Sequence, residues 1–291
     1  MKTILLMNLY HSTLEILFFI SILSTCLIAG IIGSLLGLGG GFIIVPALTL
    51  LFNIPIHLAI GASFIGVLVN SSSASLVYIK NGMTDIKLSS ILELGAVTGA
   101  IIGASISLTI NSNILSIIFG LTLTYVSINM YIKSRTQNNK TIQTHKKSKI
   151  TKEYFKDIST HDEKYSVTKV KEGVILSSIG GLFAGLLGVG GGVIFVPIMN
   201  RIMNVPIKVA MATSSFMIAI TSLIGAIIFI INGSFYAEII PAVILGVFIG
   251  AQIGARVNKI INKKLLSNVF SIVVIYIAIR MLFKGLEINL V

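Results

Sequence analysis

The chain has no tryptophan, one cysteine, five prolines, four histidines and ten acidic residues among its 291. With a single thiol, Cys26, neither an internal disulfide nor a cysteine-based metal site can form. None of the histidines, at positions 11, 57, 145 and 161, falls at the centre of an apolar run, and Glu93 is the one clear acid inside such a run. An intramembrane enzyme needs acid–base groups at depth, so no catalytic residue is assigned, and no metal or cofactor is expected. Charge as a whole is scarce: 11% of residues are charged and 55% hydrophobic, with a mean hydropathy of +0.98. A soluble domain cannot hide that much apolar surface, which makes lipid the solvent.

Apolar runs lie near 14–36, 58–79, 88–109, 113–132, 173–200, 209–231, 236–255 and 265–283. Each is long enough to cross a hydrocarbon core of roughly 30 Å at about 1.5 Å per residue, so the expected fold is all-α, a polytopic helical membrane protein. The "LSTC" at 23–26 loosely imitates a lipoprotein cleavage box, but hydrophobicity continues to residue 52, which argues against a cut.

The net charge of +12 suggests no nucleic acid, because the cations sit in one connector and at the ends of apolar runs. Residues 133–172 carry 11 Lys/Arg against 5 Asp/Glu, and the positive-inside rule puts this connector in the cytoplasm. Within it, "EYFKDIST" could form a short surface helix, and its cations would touch anionic lipid.

Sliding the chain by 151 residues aligns the 34 positions from Gly30 with those from Gly181, 15 of them identical and without a gap. The expected organisation is a first repeat over 10–132, the connector, and a second repeat over 173–286. If the glycine segments turn back inside the membrane, Lys80, Lys87, Arg201, Lys208 and Arg256 share the connector's side and the halves are inverted. Lys2, Arg280 and Lys284 would then lie on the other side, against the rule.

The repeat is densest at "GLGGGFIIVP" from Gly37 and "GVGGGVIFVP" from Gly188. Neither is a dinucleotide fingerprint, since Phe42 and Val193 stand where its last glycine belongs and no strand precedes them. Neither is a phosphate loop, for no lysine follows. Three adjacent glycines cost a helix about 1 kcal/mol each and cannot all face one neighbour, so the triplets read as helix breaks, with Pro46 or Pro197 fixing the helix that restarts. By contrast, Gly95, Gly99 and Gly103, with Gly246, Gly250 and Gly254, form four-residue ladders suited to helix packing.

Backbone N–H groups freed at membrane depth need water, protein or a ligand, and the N-terminal end of a helix favours an anion. The candidate binding residues are therefore Gly39, Gly40 and Gly41 with Gly190, Gly191 and Gly192. Ser63, Asn70, Thr213 and Ser214 on the following spans add hydroxyl and carboxamide donors, although hydroxyls in membrane helices often bond to their own backbone. Glu93 is a candidate for coupling to H+, or a carboxylate pairing near the interface.

These paired glycine–proline segments, the Asn-x-Pro turns at Asn53 and Asn204, and the Ala-x-x-x-Ser that ends at Ser63 and Ser214 resemble the TauE/SafE sulfite-exporter family, also called toluene-sulfonate uptake permeases. The resemblance spans nearly the whole chain outside the connector. It implies an inner-membrane transporter of small sulfur-containing anions such as sulfite or sulfonates, driven by an ion gradient. It carries the family motif onto Gly39, Gly40, Gly41 and Pro46, onto Gly190, Gly191, Gly192 and Pro197, and onto Ser63 and Ser214. A membrane scaffold or insertion factor is the alternative reading; oligomeric state is not legible.

Overall fold

A computed structural model describes residues 2–136, 165, 167–257 and 263–287. The proposed "EYFKDIST" helix and most of the connector lie outside them. Among the described residues the structure is helical, without strands.

The first half runs α1 (Lys2–Leu36), α2 (Gly41–Leu50), α3 (Ile56–Lys80), α4 (Ile86–Thr109) and α5 (Ser112–Thr136). The second runs α6 (Val170–Leu187), α7 (Gly192–Pro197) continued by a π-turn (Ile198–Ile202), α8 (Ile207–Ile231), a 3-10 turn (Ala237–Ile239) with α9 (Ile240–Val257), and α10 (Lys263–Gly285). The bounds of α3 and α8 differ by 151 at both ends, as do the starts of α2 and α7 and of α5 and α10. Five helices per half, rather than four segments, follow from counting the short returning helix separately. Six helices among the described residues are long and apolar enough to cross a membrane, and the chain is a multi-pass membrane protein.

Both glycine segments turn back. The rings of Phe18 in α1 and Phe52 after α2 meet edge-on with centroids 5.6 Å apart, and a Cβ on Gly33 would lie 2.6 Å from the Cα of Gly40. In the second half a Cβ on Gly180 would touch Phe195 at 2.7 Å, and Thr168 N–H donates to Met203 O at 3.2 Å. Each short helix thus returns to the end its long partner entered, where Asn53 (φ 52°) or Asn204 (φ 58°) closes the turn before a proline.

The glycine ladders lock the halves together. Gly95, Gly99 and Gly103 of α4 abut Val174, Ser178 and Leu182 of α6, and Gly246, Gly250 and Gly254 of α9 abut Leu23, Leu27 and Ile31 of α1. In both pairs the numbers rise together, so the helices are parallel and so close that a methyl group on the ladder would strike the partner's backbone carbonyls. Because α1 and α2 form a hairpin, α3 runs with α1 and α4 against it; α6, parallel to α4, therefore opposes α1. One half is the other turned over. One end of the bundle consequently gathers Lys80, Lys87, Arg201, Lys208 and Arg256, and the other holds Asn53, His57, Asn232 and Glu238.

Candidate substrate site where two glycine breaks meet

The breaks are built from residues in the left-handed region: Gly37, Gly39 and Gly40 at φ 66°, 83° and 82°, then Gly188, Gly190 and Gly191 at 66°, 87° and 75°. Left-handed backbone costs an L-residue roughly 1–2 kcal/mol, which explains why glycine stands there. Space excludes a side chain as well. A Cβ on Gly39 would lie 2.8 Å from Val67 and 3.1 Å from Ile218; on Gly190 it would lie 2.5 Å from Ile218 and 2.8 Å from Val67. Val67 and Ile218 are 151 apart, so both breaks press on the same pair of side chains where α3 and α8 cross.

The breaks also touch one another. A Cβ on Gly41 would strike the Gly188 carbonyl, one on Gly192 would lie 3.0 Å from the Gly37 carbonyl, and Ser63 Oγ donates to Gly188 O at 2.8 Å. Gly40 and Gly191 cap the restarting helices with their carbonyls, accepting from Ile43 and Ile44 and from Ile194 and Phe195. Among the described residues no backbone carbonyl accepts from the N–H groups of Gly39, Gly40, Gly190 or Gly191.

Three buried polar side chains adjoin these groups without a hydrogen-bond partner: Asn70, Ser71 and Ser222. The Cβ positions of Gly39 and Gly190 lie 3.3 Å and 3.6 Å from Ser71 Oγ and Ser222 Oγ, and that of Gly40 lies 3.3 Å from Asn70 Nδ2. Unpartnered buried polar groups are costly, typically about 1–3 kcal/mol each, and uncommon enough to signal a ligand, water or function. Ser71 and Ser222 belong to the hydroxyl-rich stretches 70–75 and 221–222 that the sequence marks as possible donors, but they are not in the candidate set drawn from it. The available signal was the spacing Ser63-Val67-Ser71 and its copy Ser214-Ile218-Ser222, which places each serine one helical turn beyond the break-contacting residue.

The other expected residues lie apart. Thr213 Oγ1 accepts from Asp85 N–H at 3.0 Å, near the basic end of the bundle, and Ser214 Oγ donates to Met211 O of its own helix at 3.0 Å. Asp85 also caps α4, accepting from Leu88 N–H at 2.9 Å, and takes a 2.7 Å bond from Tyr165 Oη. Burial and the Asp85 carboxylate raise the phenol's pKa above its usual value. Pro46 sits inside α2; Pro197 ends α7, after which the helix widens into the π-turn. Glu93 is buried in α4, 7% exposed, with both carboxylate oxygens unpartnered. Among the described residues no cluster of His, Cys, Asp or Glu could hold a metal.

The model of the family described as "Sulfite exporter TauE/SafE" matches residues 22–281. The chain belongs to the TauE/SafE family. It is 32% identical over 267 residues to the "Probable membrane transporter protein YunE" of Bacillus subtilis, covering 89% of this chain and 96% of that one. It is 29% identical over 208 residues to the "Probable membrane transporter protein MJ0441" of Methanocaldococcus jannaschii, 69% and 68% of the two chains. No solved structure matches. Family and relatives indicate a membrane transporter, and the TauE/SafE match encloses both glycine breaks and everything that touches them.

Proposed function

We propose that this TauE/SafE member carries a small anion, sulfite or a small sulfonate, bound where the two glycine breaks meet. The observation carrying this reading is the group of unpartnered buried donors, Asn70, Ser71 and Ser222, beside backbone N–H groups that donate to no backbone carbonyl among the described residues. The donor set contains no lysine or arginine, so an anion would be held by hydrogen bonds and dipoles alone, strong enough to strip its water and weak enough to release it. Gly39, Gly40 and Gly41 with Gly190, Gly191 and Gly192 form the cradle, and Ser63 fixes the two breaks against each other. Thr213 and Ser214 play supporting parts in this reading.

The basic end of the bundle, with the connector, faces the cytoplasm of a cell whose inner membrane holds the protein, by the positive-inside rule. The inverted halves then offer the alternating access that duplicated transporters use. Glu93 is the group we assign to H+ coupling, since a buried carboxyl without a partner can load and release a proton as the halves rock.

The test is flux of radiolabelled sulfite and methanesulfonate into proteoliposomes. Ser71→Ala/Ser222→Ala and Gly191→Leu should each abolish it, the serine pair without loss of thermal stability, and Glu93→Gln should leave downhill exchange but remove the response to a pH gradient. Full flux in the double serine variant would sink the site, and an unaltered pH response in Glu93→Gln would remove the coupling role.

A further inference from the structure

An apolar cavity lies beside the second glycine break, on a side that Asn70, Ser71 and Ser222 do not line. A space of about 380 Å³ lies between α5 and the second hairpin, lined by Phe119, Leu123, Val126, Leu187, Val189 and Val193. Its size is that of a small-ligand site, and its walls are almost wholly apolar. The rim includes Leu121 and Tyr125, 58% and 65% exposed. On a membrane-embedded helix such exposed residues face hydrocarbon, so the cavity opens sideways into the bilayer. Past Tyr125, Val193 and Ile194 a smaller cleft continues to Pro197 and the exposed Arg201, at the basic end of the bundle.

An apolar chamber open to lipid, leading to a cation at the end of the span, matches one kind of molecule: an acyl chain with an anionic head. We propose that this groove seats one tail of an anionic phospholipid from the leaflet at the basic end, with Arg201 against its phosphate. Aligning the repeats shows what is special to this side. At the position of Val193 the first half has Phe42, and at that of Arg201 it has Leu50, so the equivalent first-half surface has a bulkier side chain and no cation. Gly191 of the second break and Phe42, which directly follows the first, both form part of the cavity wall, so a seated tail presses beside both breaks. The lipid would thereby steady the two hairpins against each other.

The probe is the detergent-purified full chain with dioleoyl-phosphatidylglycerol or dioleoyl-phosphatidylcholine, bound lipid being counted by native mass spectrometry. The wild type should retain one phosphatidylglycerol and prefer it roughly five-fold, the increment of one near-surface cation. Arg201→Gln should bring the preference to parity while still binding either lipid. Val193→Phe, which places the first half's own residue in the cavity, should lose retention of both lipids at unchanged melting temperature; should it not fold, Leu121→Trp closes the rim instead. Equal preference in the wild type would overturn the role of Arg201, and undiminished retention in the filled or closed variant would overturn the seat. Neither result bears on anion flux, so this site and the glycine site fail separately.

Discussion

The two glycine hairpins have nearly the same backbone and different side chains. Positive φ recurs at Gly37, Gly39 and Gly40 and at Gly188, Gly190 and Gly191, and even the closing turns agree, with Ile54 N–H donating to Leu48 O at 3.0 Å and Val205 N–H to Met199 O at 2.9 Å. The hydroxyls and amides do not follow. Ser63 bonds across the halves while Ser214 bonds within its own helix. Asn70 is unpartnered, whereas Thr221 in its place donates back to Met217 O or Ile218 O. The reason lies one contact away: a Cβ on Gly33 would fall on Asn70 Nδ2, and the counterpart of Gly33 is Ala184, which leaves room only for a shorter side chain. The hinges match while the contacts around them differ.

The sharpest way to break the comparison is at a hinge. Gly190→Ala adds left-handed strain of roughly 1–2 kcal/mol to an overpacking cost of about 1–3 kcal/mol against Ile218 and Val67. Gly233→Ala, at φ 69° with nothing within 4 Å of the added carbon, should pay the strain alone. Thermal unfolding in detergent should therefore show the first variant falling well below the second; equal losses would mean the crossing of α3 and α8 is not tightly packed.

Asn70 offers the next contrast. Asn70→Leu removes an unpartnered carboxamide and should stabilise the protein by about 1–3 kcal/mol while ending transport. A residue held for structure would instead lower stability when lost. Thr221→Asn alone should clash, and Ala184→Gly should rescue its melting temperature.

A smaller difference separates Ser63→Ala from Ser214→Ala. The first loses a bond between halves worth about 1 kcal/mol, and the second should be close to neutral because it gives up only a bond to its own helix. Comparable losses in melting temperature would argue that the Ser63 bond does not join the halves.

The smallest effect is expected at the basic end, where Tyr165 holds Asp85. Its pKa is raised in the folded protein, so the bond's contribution is fully present below the unfolded tyrosine value of about 10 and is lost as pH rises above it. Tyr165→Phe should cost on the order of 1 kcal/mol at neutral pH and flatten the decline in melting temperature above about pH 10. A decline as steep as the wild type's would assign it to other groups.

Much of this was legible in composition and repetition. Hydrophobicity without charge required lipid around the chain, and glycine triplets followed by proline marked helix breaks. Within the candidate site, the triplets were visible because φ preference is a property of a single residue type. Ser71 and Ser222 were not singled out, since a serine in an apolar helix looks alike whether it bonds to its own backbone or to nothing. Thr213 and Ser214 looked equivalent to the others for the same reason, and only a loop from the opposite half, bringing Asp85, distinguished Thr213.

Sequence alone was enough for a helical membrane protein with two glycine breaks, because burial in lipid and backbone strain act locally along the chain. That the segments turn back, that both breaks press on Val67 and Ile218, and which donors are left without a partner came from the folded arrangement of the helices. Those facts depend on helices far apart in sequence meeting at one place, and hydrogen-bond satisfaction is counted there, after the chain has folded.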